Sequence, residues 1–213
     1  GQLLSWDRLP ISAVYHATNG GVMAAGPEAW SMDPQPYLKA QSDGDAGWTG
    51  RHGVPLTDRD AVAALLADGA GAYGQAHPRF RWTRSLRADD LRQALGVSGR
   101  ELQDPLQLTV LERGASGRVL ALQIAGASEA TPVVLRLDQI RRTLRTLPST
   151  LFVLESVGPQ HWLVRGGGFG HGAGLSQAGA IDLARQGWPV ERILSHYYPG
   201  AVYGPLPQSL ESP

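Results

Sequence analysis

The chain has 213 residues with nineteen basic and nineteen acidic side chains, so its balanced charge gives no reason to expect nucleic-acid binding. Cysteine is absent, which excludes disulfides and thiolate metal sites and leaves histidines and carboxylates as the available metal ligands. No apolar run approaches the roughly 20 residues that span a bilayer, and no signal peptide opens the chain.

The first predicted elements are a β-hairpin and a turn that contains a histidine. Alternating apolar residues predict a strand over Gly1–Trp6 and a second strand after a turn at Asp7 and Arg8. The stretch YHATNGG at 15–21 then leaves a strand with a histidine beside two glycines, a combination that can expose polar groups at a turn.

The middle of the chain alternates between helix and strand patterns. A threonine N-cap, an acidic first turn and a terminal glycine predict a helix over Thr57–Asp68. The later patterns predict, in order, a helix over Ser85–Leu95, a hairpin of LQLTVLERG and GRVLALQIAGA joined by Gly114–Gly117, a strand over Thr131–Leu135 and an arginine-rich helix over Leu137–Leu147.

The most distinctive stretch is GGGFGHGAGLSQAGA at 166–180, in which seven of fifteen residues are glycine. The preceding HWLVR predicts a strand, and AGAIDLARQGW predicts a helix that Gly187 ends. His171 and Ser176 are therefore expected at a strand–loop–helix corner, where functional groups are often found.

Common motifs fit this stretch poorly. The phosphate-binding pattern G-x-x-x-x-G-K-[ST] needs a lysine, but the only lysine is Lys39, and G-x-G-x-x-G aligns in no frame. Gly174–Ala178 differs from the nucleophile elbow G-x-S-x-G only at its last residue, so a serine hydrolase that uses Ser176 stays an alternative.

The run GGGFGHGAGLSQAGAIDLARQGWPVERILSHYYPGA resembles the C-terminal signature of the SpoIID/LytB family of bacterial cell-wall proteins. The YHATNGG turn, Trp30 and the segment Pro36–Leu38 match further parts of the family pattern. The resemblance covers essentially the whole chain but only about the later two-thirds of the family domain. It implies an α+β fold with a β-rich core.

The resemblance also implies a function outside the bacterial cytoplasm. Catalytic members of the family are lytic transglycosylases that cleave MurNAc–GlcNAc bonds of peptidoglycan and leave 1,6-anhydro ends, whereas LytB relatives enhance a wall amidase. Glycan strands are thus the expected partner, with a cell-wall amidase or a missing N-terminal segment as a second one, and no cofactor is expected. The residues expected to bind the glycan are His16, Thr18, Asn19, Gly20, Gly21, His171, Gly172, Gly174, Ser176 and Gln177.

Two departures from the family pattern limit the expected chemistry. The catalytic glutamate of the family lies in an upstream E-M-P-like segment that nothing here matches. Glu28 and Asp33 are the nearest carboxylates to the histidine turn, and Glu28 is kept as the candidate acid although it does not match the family segment. Whether the chain is an enzyme is therefore left open, with a non-catalytic glycan-binding module or amidase activator as the alternative. Relatives often bind zinc through cysteines of this turn, but Asn19 stands at the equivalent position, so no metal is expected.

These patterns together predict a β-rich core from residues 1–48 and 150–213, with residues 49–149 inserted as a small α/β subdomain. The histidine turn and the glycine-rich stretch are expected to face one cleft. Ser176 suits a helix cap as well as a glycan contact. Burial is expected for most of the tryptophans Trp30, Trp48 and Trp82, with stacking on sugar faces as the alternative. The other aromatic residues and histidines are interpreted as packing the C-terminal helix end against the core (His196, Tyr197 and Tyr198) or as surface or incidental residues (His52, His77 and His161).

Overall fold

The computed structural model describes residues 1–127 and 131–205, and it contains helices and several small sheets. The strands are β1 Gln2–Trp6, β2 Leu9–Pro10, β3 Tyr15–His16, β4 Val22–Met23, β5 Gln41–Ser42, β6 Arg81–Arg87, β7 Gln107–Arg113, β8 Val119–Ala125, β9 Val133–Arg136, β10 Phe152–Gly158, β11 His161–Gly167, β12 Leu175–Ser176 and β13 Val202–Pro205. The helices are α1 Gly26–Ala29, α2 Ala46–Arg51, α3 Arg59–Ala67, α4 Ala88–Leu95, α5 Val97–Glu101, α6 Gln139–Thr143, α7 Gln177–Arg185 and α8 Val190–Tyr197. The predicted β-rich α+β class is confirmed.

Three antiparallel sheets each have a central strand with two neighbours. Strand β1 lies between β2 and β13, β11 lies between β10 and β6, and β8 lies between β7 and β9. The short pairs β4–β5 and β12–β3 complete the sheet structure, and β12–β3 is parallel. Among the described residues, no helix has the length and apolar character needed to cross a bilayer.

Most predicted elements are present, and their differences have local causes. The first hairpin turns at Asp7 and Arg8, whose positive φ values of 47° and 63° suit a tight turn between twisted strands. The helix predicted over Thr57–Asp68 begins at Arg59, because the Asp58 carboxylate rather than Thr57 accepts the N–H groups of Asp60 and Ala61.

Two helix predictions were too long. Residues up to Arg87 belong to β6, where Trp82 and Leu86 alternate into the core, so the predicted start at Ser85 was wrong and α4 begins at Ala88. Leu137 has a φ of 48°, outside the helical region, and the arginine-rich helix is confined to α6.

The largest apolar cluster lies between the β6–β11–β10 and β7–β8–β9 sheets. It contains Leu122 and Ile124 of β8 together with Phe152 of β10 and Trp162 of β11. Because β6 pairs with β11, residues from 49–149 and from 150–213 share one sheet. The division into a core and an inserted subdomain stays a prediction.

Candidate functional site

The histidine turn and the glycine-rich stretch lie side by side, although about 150 residues separate them. Strand β3 pairs in parallel with β12, Thr18 forms a bridge with Phe169, and Ala24 forms a bridge with Ala173. The backbones approach so closely that a Cβ at Gly20 would lie 2.8 Å from the nitrogen of Gly168. The two segments therefore converge, as expected, whereas the cleft that they are expected to face stays a prediction.

His16, Trp30 and His171 form an aromatic cluster at this junction. The imidazole rings of His16 and His171 lie edge to face with centroids 5.1 Å apart, and the Trp30 ring lies 4.6 Å from His171. His171 is held by both ring nitrogens: Nε2 donates to the Tyr15 carbonyl at 3.0 Å, and Nδ1 accepts the Ala173 N–H at 3.2 Å. We call His16, Trp30 and His171 the histidine–tryptophan cluster.

His16 has one ring nitrogen without a partner. Its Nδ1 donates to the Ala173 carbonyl at 3.2 Å, whereas the buried Nε2 has no hydrogen-bond partner among the described residues. Burial lowers the pKa of His16 well below 6.5, and the neighbouring His171 and the Arg118 charge lower it further, against the opposing effect of the Ala173 carbonyl. His16 is therefore neutral near pH 7, with a bare nitrogen that can accept a hydrogen bond.

The pKa of His171 is also lowered, mainly by burial. The Tyr15 carbonyl opposes this shift by stabilising the protonated ring, whereas Arg118 acts in the same direction as burial. The His171 ring donates one hydrogen bond through Nε2 and accepts one through Nδ1, which fits a neutral ring that carries its proton on Nε2. The cluster is thus an uncharged surface rather than a cationic one at neutral pH.

Arg118 holds the histidine turn in place through hydrogen bonds, and the sequence analysis did not predict it as a site residue. Its fully buried guanidinium donates to the carbonyls of Asn19 at 2.9 Å and Val22 at 3.1 Å. Burial lowers the pKa of Arg118 to about 10, against the opposing charge of Glu28, so the side chain stays protonated near pH 7. The only signal in the sequence is a basic residue immediately before the largely apolar strand β8.

A second buried network holds the histidine turn from the other side. The Asn19 amide donates to Asp43 Oδ2 at 2.7 Å, and His196 Nε2 and the Tyr197 hydroxyl contact the same carboxylate at 2.8 Å and 3.3 Å. The expected packing of His196, Tyr197 and Tyr198 against the core is confirmed, since both tyrosines are buried. Asp43 itself was not predicted.

Ser176 is a helix cap in this structure. Its hydroxyl is fully buried and accepts the Gly179 N–H at 3.3 Å at the start of α7. Among the described residues no histidine nitrogen lies within hydrogen-bond distance of this hydroxyl, so the serine-hydrolase alternative lacks its base. Gln177, by contrast, is exposed and has both a donor and an acceptor for a ligand.

Glu28, which the sequence analysis named as a carboxylate near the histidine turn, links the start of α1 to the loop before β8. It is 6% exposed, and its two oxygens accept the Ala25 N–H at 2.8 Å and the Ser116 N–H at 2.9 Å. Among the described residues no hydrogen bond connects this carboxylate to His16 or His171.

Other predicted residues differ in burial. His52 was interpreted as incidental, but this was wrong, because it is 6% exposed and its Nε2 lies 2.8 Å from Asp68 Oδ2. Trp48 and Trp82 are buried, as expected, whereas Trp30 is half-buried at the cluster. Thr18 and Asn19 are buried as well, so their expected glycan contacts stay predictions.

The site does not suit a tetrahedral zinc ion. Within residues 1–127 and 131–205, no three histidine or carboxylate side chains are grouped as metal ligands. His16 Nδ1 is already bonded to a carbonyl, and the chain has no cysteine to supply thiolates.

Comparisons with known proteins place these features in a family. An amidase enhancer of Bacillus subtilis (strain 168) is 24% identical over 230 residues, which cover 95% of this chain and 31% of that protein. Stage II sporulation protein D is 26% identical over 211 residues in Bacillus amyloliquefaciens and 25% identical over 204 residues in Bacillus subtilis (strain 168). Each of these two matches covers 94% of this chain and 47% of the relative.

The chain thus spans less than half the length of the curated relatives it matches, and the predicted SpoIID/LytB-like character is confirmed. Residues 24–174, more than half of the chain, match a family model. The chain belongs to the family described as Domain of unknown function (DUF8618).

Proposed function

We propose that this chain binds peptidoglycan glycan strands at the histidine–tryptophan cluster, outside the bacterial cytoplasm. The observation that carries the proposal is the junction of His16, Trp30 and His171 beside the glycine-rich segment. Relatives named for sporulation and for amidase enhancement support a role connected with the cell wall.

The chemistry of the cluster suits a sugar. The half-buried indole of Trp30 offers an apolar face against which the C–H face of a pyranose can pack, while the exposed part of the ring stays in contact with solvent. The partly exposed His171 adds the edge of a neutral ring for packing, because its two nitrogens are already bonded to the Tyr15 carbonyl and the Ala173 N–H, and His16 Nε2 is buried. The exposed Gln177 adds a donor and an acceptor suited to an N-acetyl group.

Cleavage of the strand needs an acid that protonates the glycosidic oxygen. The described residues offer Glu28, whose oxygens are occupied by N–H groups, and Asp138, which is 8% exposed and bonded to Arg141 and Arg142. Because both carboxylates are engaged, we expect neither to act as that acid: this chain positions a glycan strand, and a lytic transglycosylase reaction would need a different acid.

A second candidate function is activation of a cell-wall amidase. It is favoured by the relative named amidase enhancer and by the occupied Glu28 carboxylate, since an activator needs a binding surface but no acid. Adding this chain to a purified wall amidase and measuring released peptides tests this function separately from glycan binding.

The experiment for glycan binding uses purified glycan strands and titration calorimetry. Trp30→Ala and His171→Gln are expected to weaken binding by about tenfold, a change of roughly 1.4 kcal/mol. Tyr203→Ala, which removes a partly exposed aromatic ring from β13, serves as the control and should leave the affinity unchanged. Absence of binding by the unaltered chain, or equal losses in all three variants, would contradict the proposal.

A further inference from the structure

A groove beside the glycine-rich segment has a concentration of positive charge and is not lined by the residues of the histidine–tryptophan cluster. Five arginines line a cavity of about 660 Å³: Arg79, Arg84, Arg141, Arg142 and Arg145. An adjoining cavity of about 720 Å³ shares Arg142 and Arg145 and extends along α4, where the acidic Asp90 also lines it. We call the two cavities together the arginine groove.

The charge of this groove is only partly neutralised. Asp138 pairs with Arg141 and Arg142, with N–O distances of 2.9 Å in both cases. Arg79, Arg84 and Arg145 form no ion pair within the part of the chain that the structure describes. A chain whose total charge is balanced thus gathers unpaired cations in one concave surface, which attracts an anionic ligand.

The arginines come from two separate parts of the fold that meet at the groove. Arg79 and Arg84 lie before and within β6, whereas the other three belong to α6 or follow it. The Arg84 Nε donates to the Thr146 carbonyl at 3.2 Å, which holds the two parts together. Planar guanidinium groups that approach from different elements can bind successive oxyanions, or opposite oxygens of one phosphate.

The single aromatic ring in the groove lining is partly covered. The Arg79 guanidinium lies 4.0 Å from the centroid of the Phe169 ring and occupies one of its faces. Proteins that hold single-stranded nucleic acid usually stack bases on open aromatic faces, and sugar rings use similar faces. The groove therefore favours a ligand recognised by repeated charge rather than by flat rings.

We propose that the arginine groove binds a linear polymer with repeating phosphodiester groups and no aromatic rings, of the polyol phosphate type. Two joined cavities give room for an extended chain rather than for a single phosphate. The groove borders the candidate site through Phe169, whose N–H donates to the Thr18 carbonyl at 2.7 Å. A glycan strand and a polyol phosphate can thus be held next to each other by one chain.

The test measures binding of a synthetic glycerol phosphate oligomer to the full chain at several salt concentrations. Binding is expected, with an affinity that falls as salt rises, because the contacts are ionic and exposed. Arg145→Glu should weaken it by about tenfold. Arg145 makes no hydrogen bond or ion pair among the described residues, so this variant should keep its thermal stability.

The matched control is Arg59→Glu, which makes the same charge change at the start of α3, outside the arginine groove. It should leave the affinity for the oligomer nearly unchanged, as should Trp30→Ala at the glycan site. A deoxythymidine oligomer and an oligoglutamate with the same number of charges should bind several-fold more weakly. The proposal is overturned if the glycerol phosphate oligomer does not bind, if Arg59→Glu weakens binding as much as Arg145→Glu, or if all three polyanions bind equally.

Discussion

Replacing Gly172 with alanine is expected to damage the candidate site through Arg118. Gly172 has a φ of 86°, and a Cβ at this position would lie 2.2 Å from the Arg118 Nη2 atom. A long side chain at the surface could move away from such a contact. Arg118 cannot do so easily, because it is fully buried and its guanidinium donates to the Asn19 and Val22 carbonyls.

The expected loss of stability has two parts. Alanine in the left-handed region costs about 1 kcal/mol of folding free energy. Displacing the guanidinium weakens hydrogen bonds from a charged donor, each of which contributes about 1.5–3 kcal/mol. The free energy of unfolding should therefore fall by at least about 3 kcal/mol in Gly172→Ala, which lowers the Tm by about 6–12 °C for a domain of this size.

The matched control is Gly187→Ala. Gly187 has nearly the same φ, 83°, but a Cβ there would meet no atom within 4 Å. This variant should lose only the backbone term of about 1 kcal/mol, and thermal unfolding of both variants separates the two contributions. A loss in Gly172→Ala no larger than in Gly187→Ala would refute the conclusion that Arg118 fills the space beside Gly172.

Four other predictions concern pH, capping, cleavage and metal. Burial lowers the pKa of His16 well below 6.5, so as the pH falls below 6.5 the unfolded chain takes up this proton before the folded chain does. Stability should therefore decrease by up to about 1.4 kcal/mol per pH unit below pH 6.5, with a smaller slope in His16→Gln, as urea unfolding can measure. Ser176→Ala should cost about 1 kcal/mol of stability through the lost cap, whereas Gln177→Ala should weaken glycan binding at unchanged Tm. Incubation with glycan strands should yield no 1,6-anhydromuramic ends by mass spectrometry, and their abundant formation would point back to Glu28. Elemental analysis of protein purified without added metal should find no stoichiometric zinc, and near-stoichiometric zinc would contradict the lack of thiolate ligands.

Local patterns predicted the hairpins and the glycine-rich corner because their signals lie within a few residues. The turn at Asp7 and Arg8 and the helix end near Gly187 are examples, since each depends on a backbone conformation that the local sequence favours. The predicted start of this helix at Ser85 failed because Ser85 lies in β6, where it pairs with the distant Leu163 of β11. Pairing over that distance overrides local helix propensity.

The candidate site shows the same division between local and distant signals. Two histidines beside glycines were visible in the sequence, and their convergence followed from the expectation that both leave strands of one sheet system. Arg118 and Asp43 were not visible as site residues, because a single charged residue carries no periodic pattern. Their burial depends on partners up to 154 residues away in the chain.

Arg118 and Asp43 also explain why the histidine turn keeps one shape. The carbonyl of Asn19 accepts a hydrogen bond from the Arg118 guanidinium, while its side-chain amide donates to the Asp43 carboxylate, so one residue is fixed from two sides by opposite charges. The turn is therefore rigid before any ligand arrives, and His16 is already in place beside His171. A ligand that binds a preformed surface loses less free energy to ordering the protein, and this rigidity favours the proposed binding of a sugar at the histidine–tryptophan cluster.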